Sequence, residues 1–152
     1  MANPFAHIEL NTDDVAKAQK FYKSVFDWKF SAMPEQDYTM IDVGAGTGGG
    51  MMKKPMAEAP TQWLPYVMVE SVKKTIEKAR KAGANVIVPF QSIGDMGAIG
   101  IFVDPTGAGI GVWEQNEAAP APAKRARKKV PAKKTAKKAP TKKTAKKAAK
   151  RK

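Results

Sequence analysis

Cysteine is absent from the 152 residues. Disulfides and thiolate chemistry are therefore excluded, and the composition fits a reducing compartment. No apolar run reaches the roughly eighteen residues that a membrane helix needs. Met1 to Phe5 carries no basic segment leading into an apolar stretch, so no secretory signal is expected. A soluble cytoplasmic protein is the expectation. After Glu117 there is no acidic residue and no aromatic one, and Val130 is the only large aliphatic side chain.

What that last stretch does contain is charge. The final 35 residues, Ala118 to Lys152, hold 16 Lys or Arg, while everything before them holds 11 against 14 Asp or Glu. The formal net charge of +13 is thus a first part at −3 joined to a tail at +16. Residues 1–117 hold every Trp, Phe and Tyr and suffice for one domain with a real core. Residues 118–152 cannot bury enough apolar surface to offset chain entropy, so a disordered polybasic tail is expected.

Ala118 to Ala123 alternates Ala and Pro, a stiff spacer. Lys-Lys-Thr-Ala-Lys-Lys-Ala then occurs at 133–139 and again at 142–148. The tail resembles the C-terminal tails of linker histones and bacterial histone-like proteins, a likeness of composition. It implies nucleic-acid contacts through Lys124, Arg125, Arg127, Lys128, Lys129, Lys133, Lys134, Lys137, Lys138, Lys142, Lys143, Lys146, Lys147, Lys150, Arg151 and Lys152. Doubled lysines suit the regular phosphates of DNA, and no base-reading set accompanies them, so binding would be independent of sequence. Other polyanions, RNA among them, are open to the same chemistry. Cytoplasmic, nucleoid-associated placement follows as an expectation.

The first part alternates strand and helix signals in an order that repeats. Phe5 to Leu10 reads as a strand, and Asp13 and Asp14 offer cap oxygens. Val15, Ala18, Phe21, Tyr22 and Val25 then recur at helical spacing. Trp28–Met33, Tyr38–Val43 and Met51–Lys53 read as three strands. From Leu64 the order restarts: strand 64–69, Ser71 as cap, a helix with Val72, Ile76, Ala79 and Ala82 on one face, and Gly83 at its end. Strands at 86–90, 98–103 and 109–114 complete it. An offset of 57 pairs His7 with Leu64 and Val15 with Val72. The class is α+β.

His-Ile-Glu-Leu-Asn-Thr-Asp-Asp-Val at 7–15, Phe21-Tyr22, Phe26-Asp27-Trp28, Trp63-Leu64-Pro65-Tyr66 and Asp104-Pro105-Thr106-Gly107 stand in order along the chain. In this the chain resembles the vicinal oxygen chelate superfamily: glyoxalase I, bleomycin-resistance proteins and extradiol dioxygenases. The resemblance covers about residues 5–115. It implies two βαβββ modules forming a curled mixed sheet around a cleft, and a homodimer. It also implies four metal-ligand positions, one per strand. They fall on His7, on Leu64, among Gly50, Met51 and Met52, and on Gly111, seven residues after Asp104. Leucine and glycine bring no donor, and a thioether is a poor ligand for hard divalent ions. No metal and no cofactor is expected. Glu114, three residues past Gly111, belongs on the opposite strand face unless a bulge intervenes.

Alternation assigns Ile8, Leu10 and Thr12 to the helix side and His7, Glu9 and Asn11 to the cleft. Leu64, Tyr66 and Met68 make the facing row, with Gly111 and Trp113 on the last strand. These eight cleft residues are the candidate binding site for a small organic molecule. His7 and Glu9, two apart, can form a base and its orienting carboxylate, or a polar pair without catalytic duty. Gly44, Gly46 and Gly49 match G-x-G-x-x-G, but no helix follows, so a mobile loop is expected there.

Three functions remain in play. The first is a metal-free glyoxalase/bleomycin-resistance-like domain that binds a small organic ligand and is tethered to DNA by its tail. The second is a lyase or isomerase of glyoxalase type with His7 as base. The third is a nucleoid-associated protein whose folded domain only dimerises. A drug-sequestering role of the bleomycin type is a variant of the first.

Overall fold

The computed structural model describes residues 2–116. The expected boundary at 117/118, the disorder of the tail and its cations from Lys124 to Lys152 lie outside the described residues. Ten principal elements follow one another: β1 (Phe5–Thr12), α1 (Val15–Val25), β2 (Lys29–Met33), β3 (Tyr38–Asp42), β4 (Gly49–Lys53), β5 (Gln62–Met68), α2 (Val72–Lys81), β6 (Asn85–Ser92), β7 (Ala98–Val103) and β8 (Gly109–Glu114). The order strand, helix, three strands occurs twice.

Side chains set the helix starts. Asp14 caps α1, its Oδ1 accepting from the Lys17 amide at 2.8 Å. Ser71 caps α2, its hydroxyl accepting from the Lys74 amide at 3.4 Å. Each satisfies one of the amides that a helix start leaves without an intrahelical partner.

All eight strands join one mixed sheet in the order β2-β3-β4-β1-β5-β8-β7-β6. The expected curling around a cleft is corrected: the sheet is open and uncurled, with β2 and β6 as its edges. Within the sheet the modules join where β1 and β5 run antiparallel, with His7 opposite Tyr66 and Glu9 opposite Leu64. From that joint each module adds strands outward, through the parallel pairs β1/β4 and β5/β8. Successive strands therefore carry the two modules apart.

Both helices lie on one face. Leu10, Ile41 and Met51 form a buried cluster against Val15, Ala18 and Tyr22 of α1. Val72 and Ile76 of α2 pack with Val69, Ala98 and Val112, and Val67 joins them. Val67 and Trp63 share a face of β5, and the Trp63 Nε1 donates to the Tyr22 hydroxyl of α1 at 3.1 Å. The apolar stripe expected on α1 is only partly core: Phe21 and Val25 are more than half exposed, while Tyr22 stacks on Phe26 and Trp28. Among the described residues neither α-helix lies on the opposite face of the sheet.

Glu114 lies on the helix side, as alternation requires. Its Oε2 accepts from the Val72 amide at 2.8 Å, a carboxylate placed at the positive end of α2. Glu114→Ala should lower stability by about 1–2 kcal/mol, because a first-turn amide loses a charged acceptor. A urea titration with an unchanged slope and a lower midpoint would register this; an unchanged midpoint would contradict it.

Candidate functional site

The helix-free face has a polar centre where the modules join. Alternation on β1 points His7 and Glu9 to this face, and the register places Gly50 and Leu64 on either side of Glu9. Gly111 lies beside Tyr66 in the same way. A Cβ built on Gly50 would overlap the Tyr38 phenol, and one built on Gly111 would overlap the Tyr66 ring. The two glycines therefore admit two tyrosine side chains across the sheet toward Glu9.

Both phenols end on the same carboxyl group. Tyr38 donates to Glu9 Oε2 at 3.1 Å, and Tyr66 donates to Oε1 at 3.2 Å. Asn11 Nδ2 donates to Oε1 as well, at 3.2 Å. His7 Nε2 lies 2.6 Å from the Tyr38 hydroxyl. With the Tyr38 proton directed at Glu9, His7 is the donor in that contact and Nδ1 keeps its lone pair. His7 and Glu9 are thus linked through Tyr38, which corrects the direct pairing expected from their spacing. The His7 ring also lies edge-on to Tyr66, with centroids 6.1 Å apart.

Burial governs the protonation of the centre. It lowers His7 from the usual histidine range, favouring neutral imidazole. It raises Glu9, against the opposing effect of the hydrogen bonds from Tyr38, Asn11 and Tyr66. Tyr38 and Tyr66 are pushed far up by burial first and by the Glu9 charge second, so both remain phenols.

The remaining candidate residues spread along the same face. Leu64, 3% exposed, fills the sheet beside Glu9. Met68 and Trp113 are register partners one step beyond Tyr66 and Gly111. Trp113 Nε1 is engaged with the Met96 carbonyl at 3.1 Å, which turns its donor away from the centre. Tyr38 is the member that sequence reasoning missed. The interior-strand glycine at 50 was its trace, since such a glycine marks a close approach.

The four family metal positions supply one donor between them. Leu64 is hydrocarbon, and the space beside Gly50 and Gly111 is taken by tyrosines. Met51 is fully buried on the helix side. Among the described residues no three His, Asp or Glu side chains converge, so this donor set does not fit a four-ligand ion. Two surface depressions lie elsewhere. One is lined by Asn3, Glu70, Ser71 and Lys74, the other by Lys78, Ala79, Phe102 and Pro105. We take the Glu9 centre as the site because its chemistry converges, whereas those depressions border α2.

Comparison with known proteins agrees with this architecture. Residues 5–44 match the family model "Bleomycin resistance protein-like N-terminal". CFP32 of Mycobacterium bovis, provisionally named a glyoxylase, is 30% identical over 116 residues, or 72% of this chain and 44% of that protein. The chain thus spans less than half the length of that relative. A glyoxalase/bleomycin resistance protein/dioxygenase superfamily member from Vibrio splendidus aligns with TM-score 0.55 and 11% identity, over 75% of this chain and 100% of that one. Methylmalonyl-CoA epimerase from Mycobacterium tuberculosis aligns with TM-score 0.53 and 13% identity, over 74% and 87% of the two chains. The described domain therefore has the glyoxalase/bleomycin-resistance/dioxygenase fold. Among the described residues no helix is long and apolar enough to cross a membrane.

Two measurements probe the centre. His7 is the only histidine, so one imidazole resonance reports its titration; the midpoint should fall below the ordinary histidine value of 6.5. The folded state then binds the His7 proton less tightly than the unfolded chain. This group's contribution to stability is complete above 6.5 and is lost as pH falls toward the lowered midpoint. Glu9 acts in the opposite sense, its contribution being lost as pH rises through its raised midpoint. A His7 midpoint above 6.5 would overturn the assignment. Gly111→Ala should cost about 1–3 kcal/mol by displacing Tyr66; a chemical melt equal to wild type would show that the ring has room.

Proposed function

We propose that this domain binds a small organic ligand on its helix-free face, at the Glu9–Tyr38–Tyr66–His7 centre, without the metal ion common in its fold family. Its Lys-rich tail holds the protein on nucleic acid, in the cytoplasm and at the nucleoid. The supporting observation is the centre itself: a half-buried carboxyl group with three neutral donors, an imidazole bonded to one of them, and neither of the described α-helices above it. Such convergence of polar groups at one place is what orients a small ligand. The protein functions as a homodimer in this reading, so two tails raise avidity for one polyanion.

A second reading follows from His7. Burial favours its neutral form, and its Nε2–H bond to Tyr38 leaves the Nδ1 lone pair to take a proton. A lyase or isomerase of glyoxalase type would use His7 in this way. Loss of turnover in His7→Ala, with ligand binding kept, would select it over simple binding.

Native mass spectrometry of the full chain from its own cells tests the main reading. The expected spectrum shows a dimer carrying an organic mass and no stoichiometric metal. One tightly held nickel, zinc or manganese per protomer, lost in His7→Ala, would sink it. The tail has its own test. If about ten of its cations meet phosphates, log affinity for DNA should fall with log salt at a slope near −9. Truncation after Glu117 should remove that binding. A truncated protein that binds DNA unchanged would exclude the tether.

A further inference from the structure

The donor census of the Glu9 centre says what kind of ligand it takes. This rests on the reading that the centre is a ligand site. Both phenol protons and one Asn11 amide proton are directed at Glu9. The His7 proton is directed at Tyr38. What remains toward a newcomer is mostly lone pairs: one on Glu9 Oε2, those of the phenol oxygens, and Nδ1 of His7. The second Asn11 amide proton is the one donor left over.

Charge points the same way. The ion pairs among the described residues are Lys54–Asp13 and Arg80–Glu77, and neither includes Glu9. Every hydrogen-bond partner of Glu9 is neutral. A buried ionised carboxylate normally has a counter-charge as well as hydrogen bonds. Here the hydrogen bonds are present and the counter-charge is not supplied by the described chain.

We infer that the ligand carries a protonated organic amine, which places its N–H donors on Glu9 between Tyr38 and Tyr66. Carboxylates, phosphates and enediolates are disfavoured, because they bring negative charge and further acceptors to a centre that already has both. A metal-bearing centre would select oppositely, since a dication takes anionic oxygens. The tyrosines that occupy the space beside Gly50 and Gly111 thus accompany a reversal in the sign of the accepted ligand.

Three probes of one shape test this: benzylammonium, benzyl alcohol and benzoate. Each is titrated into the full chain while the His7 ring resonances are followed. Benzylammonium should shift them and bind at least tenfold more tightly than benzoate, with the alcohol between. Glu9→Gln should abolish the difference. Benzoate binding as tightly as the amine, or a preference that survives Glu9→Gln, would overturn the charge assignment alone. If none of the three moves His7, the ligand-site reading falls and this inference falls with it. The wild-type series decides even if Glu9→Gln fails to fold.

Discussion

A carboxyl group removed from water must be given donors, and the middle of this sheet is organised around giving them to Glu9. Tyr38, Tyr66 and Asn11 come from three different strands, Tyr38 donating to Oε2 and the other two to Oε1. If the register of β1 against β5 slipped by one residue, Glu9 would turn to the helix side and its bonds from Tyr38 and Tyr66 would be lost. The burial of two phenols, the neutrality of the imidazole and the small residues at 50 and 111 all depend on that one arrangement.

The internal repeat explains why the arrangement sits where it does. The offset of 57 makes Glu9 and Tyr66 equivalent positions in the two modules, and the antiparallel joint brings equivalents together. Each also has a glycine beside it: Gly50 flanks Glu9 and Gly111 flanks Tyr66, both across parallel pairs. A symmetric frame therefore carries an asymmetric chemistry, with an acceptor in one module and a donor in the other. In the first module the open space is crossed by Tyr38 of β3; in the second it is crossed by Tyr66 of β5 itself. The same backbone with donors at the four positions would be a different kind of centre.

Much of this was legible in the chain, for physical reasons that can be named. Alternation placed Leu10 among the helix-side core and Glu114 away from the cleft face, because strand parity is a local property. Caps were legible at Asp14 and Ser71, since a cap is a matter of a few residues. Tyr38 was not, because its contacts lie 29 and 31 residues away and no local pattern encodes them. The uncurled sheet was not legible either, since strand order depends on pairings between distant segments. Phe21 and Val25 have helical spacing and still face outward, because periodicity shows which residues share a face and not whether anything covers it.

The two parts of the chain have opposite charge, and their proposed roles reinforce one another through it. DNA gathers a condensed atmosphere of cations, and organic ammonium ions join it as readily as inorganic ones. A tail at +16 would place the folded part, at −3, inside that atmosphere. A centre that accepts cations would there meet a higher local concentration of its ligand than in bulk solution. An anion-accepting centre would meet a lower one, since the same field excludes small anions. The tether and the sign of the Glu9 centre are therefore mutually consistent, whereas a metal centre built to take carboxylates or enediolates would be placed where its ligands are depleted.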